Sequence, residues 1–183
     1  AAEVITSTIQ TRRQTLILAP SGKERVRVPG LALRALEQRG VKRPCVAIVV
    51  QSQYHSEIAA LAREAGWAES KPVTVWTRPE HLLDLKAPMH FMTDSMFVLQ
   101  YQADPALKTY GAVVFLQAEE SSVDGRLAQS FARKVARRRE DLRLVLVANL
   151  KARDELREVF GQLSEVSLGP AEEPSPFQLA PRW

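Results

Sequence analysis

The chain has 183 residues, 45% hydrophobic and 25% charged, with a formal net charge of +4. That composition suits one compact α/β domain and leaves little room for a second. A single cysteine, Cys45, excludes a disulfide framework and any multi-thiolate metal site, and His55, His81 and His90 lack metal-ligand spacing. No apolar run approaches ~20 residues and no secretory signal pattern opens the chain. The expectation is a soluble intracellular protein without membrane contact, its compartment (mitochondrial, nuclear or cytoplasmic) left open.

In chain order, residues 14–19 read as the first strand. Leu31, Leu33 and Leu36 follow Pro29, a favoured first-turn residue, and Gly40 ends the helix they mark. A second strand at 44–50 leads to a helix carrying Ile58, Leu61 and Ala62 as far as Gly66. Strands follow at 73–77 and 89–93, and Asp94 can cap a third helix bearing Phe97, Val98 and Tyr101. After a strand at 112–116, Leu127, Phe131 and Val135 recur every four residues, the core stripe expected of a fourth helix. The last strong strand is 142–148, and Leu156, Val159 and Phe160 mark a fifth helix. Uninterrupted apolar runs at 45–50 and 112–116 imply strands buried on both faces. The architecture is therefore α/β, an open doubly wound, mainly parallel sheet with helices on both faces. From Gly169 onward Pro170, Pro174, Pro176 and Pro181 change the composition, which predicts a domain over 1–168 and a proline-rich tail or linker over 169–183.

Charge is uneven. Residues 1–45 hold nine Lys or Arg against three Asp or Glu, while the remainder holds 16 against 18. Such a bias suits a surface facing nucleic acid or an acidic partner, and the preference for Arg over Lys suits phosphate. Arg12 and Arg13 stand in this basic amino-terminal segment. A second basic run, Arg133, Lys134, Arg137, Arg138 and Arg139, lies on the fourth helix. It can hold several phosphates or be a solvated helix end with cations favoured by the dipole. Aromatic residues make up 7% of the chain and form no base-stacking platform, so any RNA contact is expected through the phosphate backbone.

Ligands of an open parallel sheet bind beyond the carboxyl ends of its strands. There, Ala19-Pro20-Ser21-Gly22-Lys23-Glu24-Arg25 has the order of a phosphate-binding loop: strand, small residues, Gly-Lys, helix. It keeps one glycine, Gly22. Ile17 stands six positions before Lys23, and Glu24 stands where a magnesium-binding hydroxyl belongs.

Three later segments carry a resemblance. They are Met89-His90-Phe91-Met92-Thr93-Asp94-Ser95-Met96, the stretch from Ala112-Val113-Val114-Phe115-Leu116-Gln117-Ala118-Glu119-Glu120 to Ser122, and the stretch from Asp141-Leu142-Arg143 to Ala152. Asp104-Pro105-Ala106-Leu107 and Tyr110 lie between the first two, and Val159-Phe160 follows the third. In order and spacing, from about Val4 to Phe160, they resemble the (Y/F)MTDGM, VVxLDEAHERS and DLKLIIMSATLDA elements of DEAH-box RNA helicases. The resemblance covers the first RecA-like domain of that family and implies a RecA-like sheet.

It also implies a degenerate nucleotide site at Gly22, Lys23, Glu24, Leu116, Gln117 and Glu119. Leu116 and Gln117 replace the family's Asp-Glu: leucine cannot ligate magnesium, and glutamine cannot act as a general base. Glu119 replaces its histidine, Val147-Ala148-Asn149 its SAT element, and Ser52-Gln53-Tyr54 its PRR element. No catalytic residue, no metal ligand and no ATP or magnesium cofactor is therefore expected. Asp84 has no sequence relation to Glu119 and Glu120 that would make a catalytic carboxylate set. Thr93 and Asp94 match an element that touches the RNA backbone in the family, or simply end a strand and cap a helix. The reading is a non-catalytic helicase-like domain, a structural or RNA-contacting part of a ribosome-associated or RNA-processing ribonucleoprotein, with RNA and protein partners. The alternatives are a protein scaffold or regulatory pseudoenzyme without RNA contact, and a fragment of an ATP-dependent RNA helicase.

Overall fold

The computed structural model describes residues 1–64, 66, 73–81, 83–119 and 122–169. Seven strands form one sheet: β1 (Gln14–Leu18), β2 (Val46–Val50), β3 (Val73–Trp76), β4 (Met89–Thr93), β5 (Ala112–Phe115), β6 (Arg143–Ala148) and β7 (Ser164–Ser167). Their order is β3-β4-β2-β5-β6-β1-β7, and every pairing is parallel. Parallel neighbours need crossovers. The described ones use α2 (Gly22–Arg25), α3 (Val28–Gln38), α4 (His55–Glu64), α5 (Asp94–Ala103), α6 (Val123–Arg138) and α7 (Arg153–Phe160), with α1 (Ala2–Thr11) ahead of β1.

Side chains alternate along a strand, and β2 shows the consequence. Val46, Ile48 and Val50 pack with Ile5 and Ile9 of α1, Leu33 and Leu36 of α3 and Ile58 of α4. Ala47 and Val49 pack on the other side with Phe97 of α5, Ala132 of α6 and Leu156 of α7. The expected α/β architecture, parallel with helices on both faces, is the observed one.

Details differ where tertiary context outweighs local pattern. Three of the six expected strands end one residue earlier than expected, at Leu18, Trp76 and Phe115, and two begin later, at Val46 and Arg143, although the Leu116 N–H still donates to Val49 O at 3.1 Å. The first helix was not legible. Its Thr-rich, β-branched sequence disfavours a helix, yet Ile5 and Ile9, four apart, bury completely, and the hydroxyls of Thr6 and Thr8 donate to carbonyls four residues back. Strand β7 is a short, polar edge without an apolar signal; Arg153 and Arg157 of α7 hold its Glu165 at 2.9 and 2.7 Å. In α6 the buried face is Gly125, Ala128, Ala132, Val135 and Ala136, not the stripe through Leu127 and Phe131. Leu127 is exposed, and Phe131 stacks on Tyr101 at 4.1 Å. Small side chains let α6 approach the sheet, which the hydrophobic spacing alone did not reveal. Gly40 does end α3 as expected: at φ 74° its N–H donates to Glu37 O, a conformation that glycine takes without strain.

Residues 170–183, Trp67 and Glu120 lie outside the described residues. Among the described ones no helix is long and apolar enough to cross a membrane.

Candidate functional site

The loop leaving β1 is folded on itself. Ser21 caps α2, its Oγ accepting the Glu24 N–H at 3.4 Å, and the Glu24 carboxylate accepts the Ser21 N–H at 3.2 Å and its hydroxyl at 3.1 Å. The donors that an exogenous anion would use at a helix start are thus turned toward the chain's own carboxylate. A Cβ on Gly22 would stand 2.6 Å from Leu61 Cδ1 of α4, so a larger residue there would require the end of the Leu61 side chain to shift. On the other side Leu168 is buried, its N–H donating to Leu18 O at 2.7 Å. Lys23 projects to solvent.

Directly after it, Arg25 turns inward. Its Nε–H donates to Ala19 O at 3.1 Å beyond β1, and an Nη1–H donates to Leu116 O at 3.4 Å beyond β5. Nη2 pairs with Glu119 Oε1 at 2.6 Å, each side chain retaining 10% of its exposure. From the end of β6, Asn149 Nδ2–H donates to the same Oε1 at 3.2 Å, while Asn149 Oδ1 accepts the Ala152 N–H at 3.1 Å. The guanidinium thereby joins the carboxyl ends of β1 and β5 and, through Glu119 and Asn149, that of β6. Leu116 is wholly buried and continues the core, and Gln117 is half-buried. Gly22, Lys23, Glu24, Leu116, Gln117 and Glu119 are therefore brought to one end of the sheet. Sequence reading passed over Arg25 and gave Asn149 no partner. The signal available was an arginine directly after the degenerate loop and a new acid in the strand-end motif opposite.

The neighbouring strand ends are tied by Asp94. Its Oδ1 accepts the Ser52 hydroxyl at 2.7 Å and the Ser95 N–H at 2.9 Å, and Oδ2 accepts the Ser122 hydroxyl at 2.7 Å. Ser122 in turn caps α6, accepting the Gly125 N–H at 2.9 Å. Thr93, rather than Asp94, is the cap of α5, accepting the Met96 N–H at 3.4 Å. Both residues are buried. Asp84 lies in the connection before β4, at the opposite end of the sheet from Glu119.

The basic candidates divide. Arg133 is half-buried, its guanidinium 5.7 Å from the centre of the Phe160 ring. Arg139 donates to Leu107 O at 2.7 Å and Ala106 O at 3.2 Å and pairs with Asp141, so it holds the turn before β5 in which Leu107 takes a φ of 48°. Arg13 pairs with Glu140 at 2.6 Å. Arg12, Lys134, Arg137 and Arg138 are exposed. Two other titratable groups are core. Burial pushes the Cys45 thiol up to about 12, which removes it as a nucleophile. Burial also holds His90 below the ordinary imidazole range, against weaker contributions from Ala87 and Asp84, and its Nδ1 lies 3.0 Å from Tyr110 Oη.

Comparison with solved structures now places the geometry. The chain superposes on the Escherichia coli DEAH/RHA helicase HrpB with a TM-score of 0.75 at 19% identity, over 91% of this chain and 21% of that one. The fold is RecA-like. A second structure, of the E. coli DExH-box NTPase HrpB, gives 0.72 at 20% identity, over 90% of this chain and 20% of that one. In sequence, 78 residues are 30% identical to the probable ATP-dependent RNA helicase DHX35 of Homo sapiens, 43% of this chain and 11% of that protein; its Pongo abelii counterpart matches equally. The chain thus spans about a tenth of the length of these curated relatives. No family model matches it. The resemblance to a DEAH-box helicase RecA-like domain stands on these two kinds of likeness.

Proposed function

We propose that this chain is a helicase-like domain that does not hydrolyse ATP and serves as a structural, RNA-contacting part of a ribonucleoprotein, binding through the phosphate backbone and through protein partners. The observation that carries the first half is the Arg25–Glu119–Asn149 connection. It lies where the resemblance puts triphosphate and magnesium, and its guanidinium is paired with the chain's own carboxylate through Glu119 Oε1. Two further residues fit a nucleotide poorly: Glu24 presents a carboxylate to the loop that would hold phosphate, and Leu116 offers magnesium no oxygen. Phosphoryl transfer rests on positioning and electrostatic stabilisation, and of the groups that would supply them only Lys23 is kept. The RNA half draws on the basic residues and on the relatives' description as RNA helicases.

Titration of the chain with a fluorescent ATP analogue and magnesium, with and without RNA, tests the first half. The expected result is neither binding nor turnover. Magnesium-dependent binding that Lys23→Ala abolishes would overturn it and favour a fragment of an active helicase.

A further inference from the structure

The two ends of the sheet differ in charge. The connections entering β1, β2, β5 and β6 (residues 10–14, 37–45, 104–111 and 137–143) carry ten basic and four acidic residues. Those leaving β1, β2, β4, β5 and β6 (19–25, 51–57, 94–95, 116–126 and 149–155) carry five basic and eight acidic ones. The resemblance puts nucleotide and RNA at the second, acidic end. The excess of cations lies at the other.

The basic connections form one surface. Arg13 reaches Glu140 at 2.6 Å, Arg39 donates to Asp141 O at 3.2 Å, and Arg143 donates to Glu140 O at 2.8 Å and Gln10 O at 3.3 Å. The charges of Arg39 and Arg13 act on Arg143, adding to burial in disfavouring its protonated form. Glu140 and Asp141, the acids at the centre, are already engaged by Arg13 and Arg139. Around this knot Arg12, Arg43, Arg137 and Arg138 are exposed, their side chains making no hydrogen bond or ion pair to a described residue. None of the exposed large hydrophobic side chains among the described residues falls in these four connections. A protein interface needs an apolar centre, whereas a nucleic-acid backbone needs only cations spread along its path.

Resting on the RNA-contacting reading above, we infer that RNA docks on the amino-terminal end of the strands, its phosphates held by Arg12, Arg43, Arg137 and Arg138, on the side of the sheet opposite the helicase-type cleft. Arginines present forks that match phosphate oxygens, and with no aromatic or large apolar side chain exposed there among the described residues the contact is blind to base sequence.

The test uses the 183-residue chain and a labelled oligouridylate of about 16 nucleotides, titrated between about 50 and about 200 mM salt. The variant Arg12→Gln/Arg43→Gln/Arg137→Gln/Arg138→Gln is expected to bind roughly tenfold or more weakly at the lower salt. Its slope of log affinity on log salt should flatten by roughly 0.7 per lost phosphate contact. Lys151→Gln with Arg126→Gln, at the cleft end, should change affinity by less than about twofold. Circular dichroism checks that both variants fold. If the first does not, photo-crosslinking of the unsubstituted chain to thiouridine RNA reads the same question, with peptides spanning 10–14, 37–45 and 137–143 expected. Unchanged affinity and slope in the first variant, or crosslinks confined to the cleft end, overturns the assignment while leaving RNA contact intact. Failure of the intact chain to bind at the lowest salt, or tighter binding of polyglutamate than of RNA, overturns the RNA-contacting reading and the assignment with it.

Discussion

The two ends of the sheet differ in charge and use their charged residues in opposite ways. At the carboxyl ends of the strands, charge is spent internally: Arg25 against Glu119, and Asp94 against Ser52 and Ser122. At the amino ends, Arg139 and Arg143 hold turns together, while Arg12, Arg43, Arg137 and Arg138 point outward. A buried ion pair rarely adds net stability over an apolar pair, but losing one partner is costly. An exposed arginine contributes little to the fold. The comparison therefore separates residues that maintain the domain from residues free to meet a partner.

The largest effect should come from breaking the inner pair. Arg25→Met leaves Glu119 buried without its counter-charge and should lower unfolding free energy by about 3–5 kcal/mol in urea melts. Arg25→Met/Glu119→Leu should recover most of that loss, because two apolar side chains need no pairing. A single-variant cost below about 1 kcal/mol would mean that water reaches the pair, and the closed cleft would no longer hold.

Next, Asp94→Ala removes the acceptor of two hydroxyls and one N–H, all at or below 2.9 Å, and should cost about 2–3 kcal/mol in the same measurement. The loss should persist in the absence of RNA, as befits a tie between strand ends rather than a contact to nucleic acid.

Beneath the basic end, His90 gives a pH signature. Burial lowers its pKa in the folded chain, so the unfolded chain takes up the proton first as pH falls. This contribution is fully present above about pH 6.5 and is lost as pH falls toward the folded value, at up to about 1.4 kcal/mol per pH unit. Thermal melts from pH 8 to pH 5 check the sign, and His90→Gln should flatten the slope in that window.

The smallest effect sharpens the contrast from the other side. Arg137→Gln with Arg138→Gln should leave stability within about 0.5 kcal/mol of the parent. A larger loss would place these arginines among the structural ones and weaken the case for a free surface.

Much of the architecture was legible in the chain because parallel strands buried on both faces leave a local trace, unbroken β-branched runs such as Val46–Val50. The motif order from Met89 to Ala152 was legible for the same reason: it is written in contiguous residues. The replacement of the expected Asp-Glu by Leu116 and Gln117 could likewise be read directly. The tertiary structure decided what stands in place of the lost groups. Arg25 and Glu119 are 94 positions apart in sequence and meet only because β1 and β5 flank β6. It also decided which arginines are committed. Arg137, Arg138 and Arg139 are indistinguishable as a run, yet the last reaches two carbonyls in the turn before β5 and the first two do not. Helix spacing sets where a side chain emerges, but its hydrogen-bond partners come from segments the sheet order brings alongside, and no local pattern encodes that order.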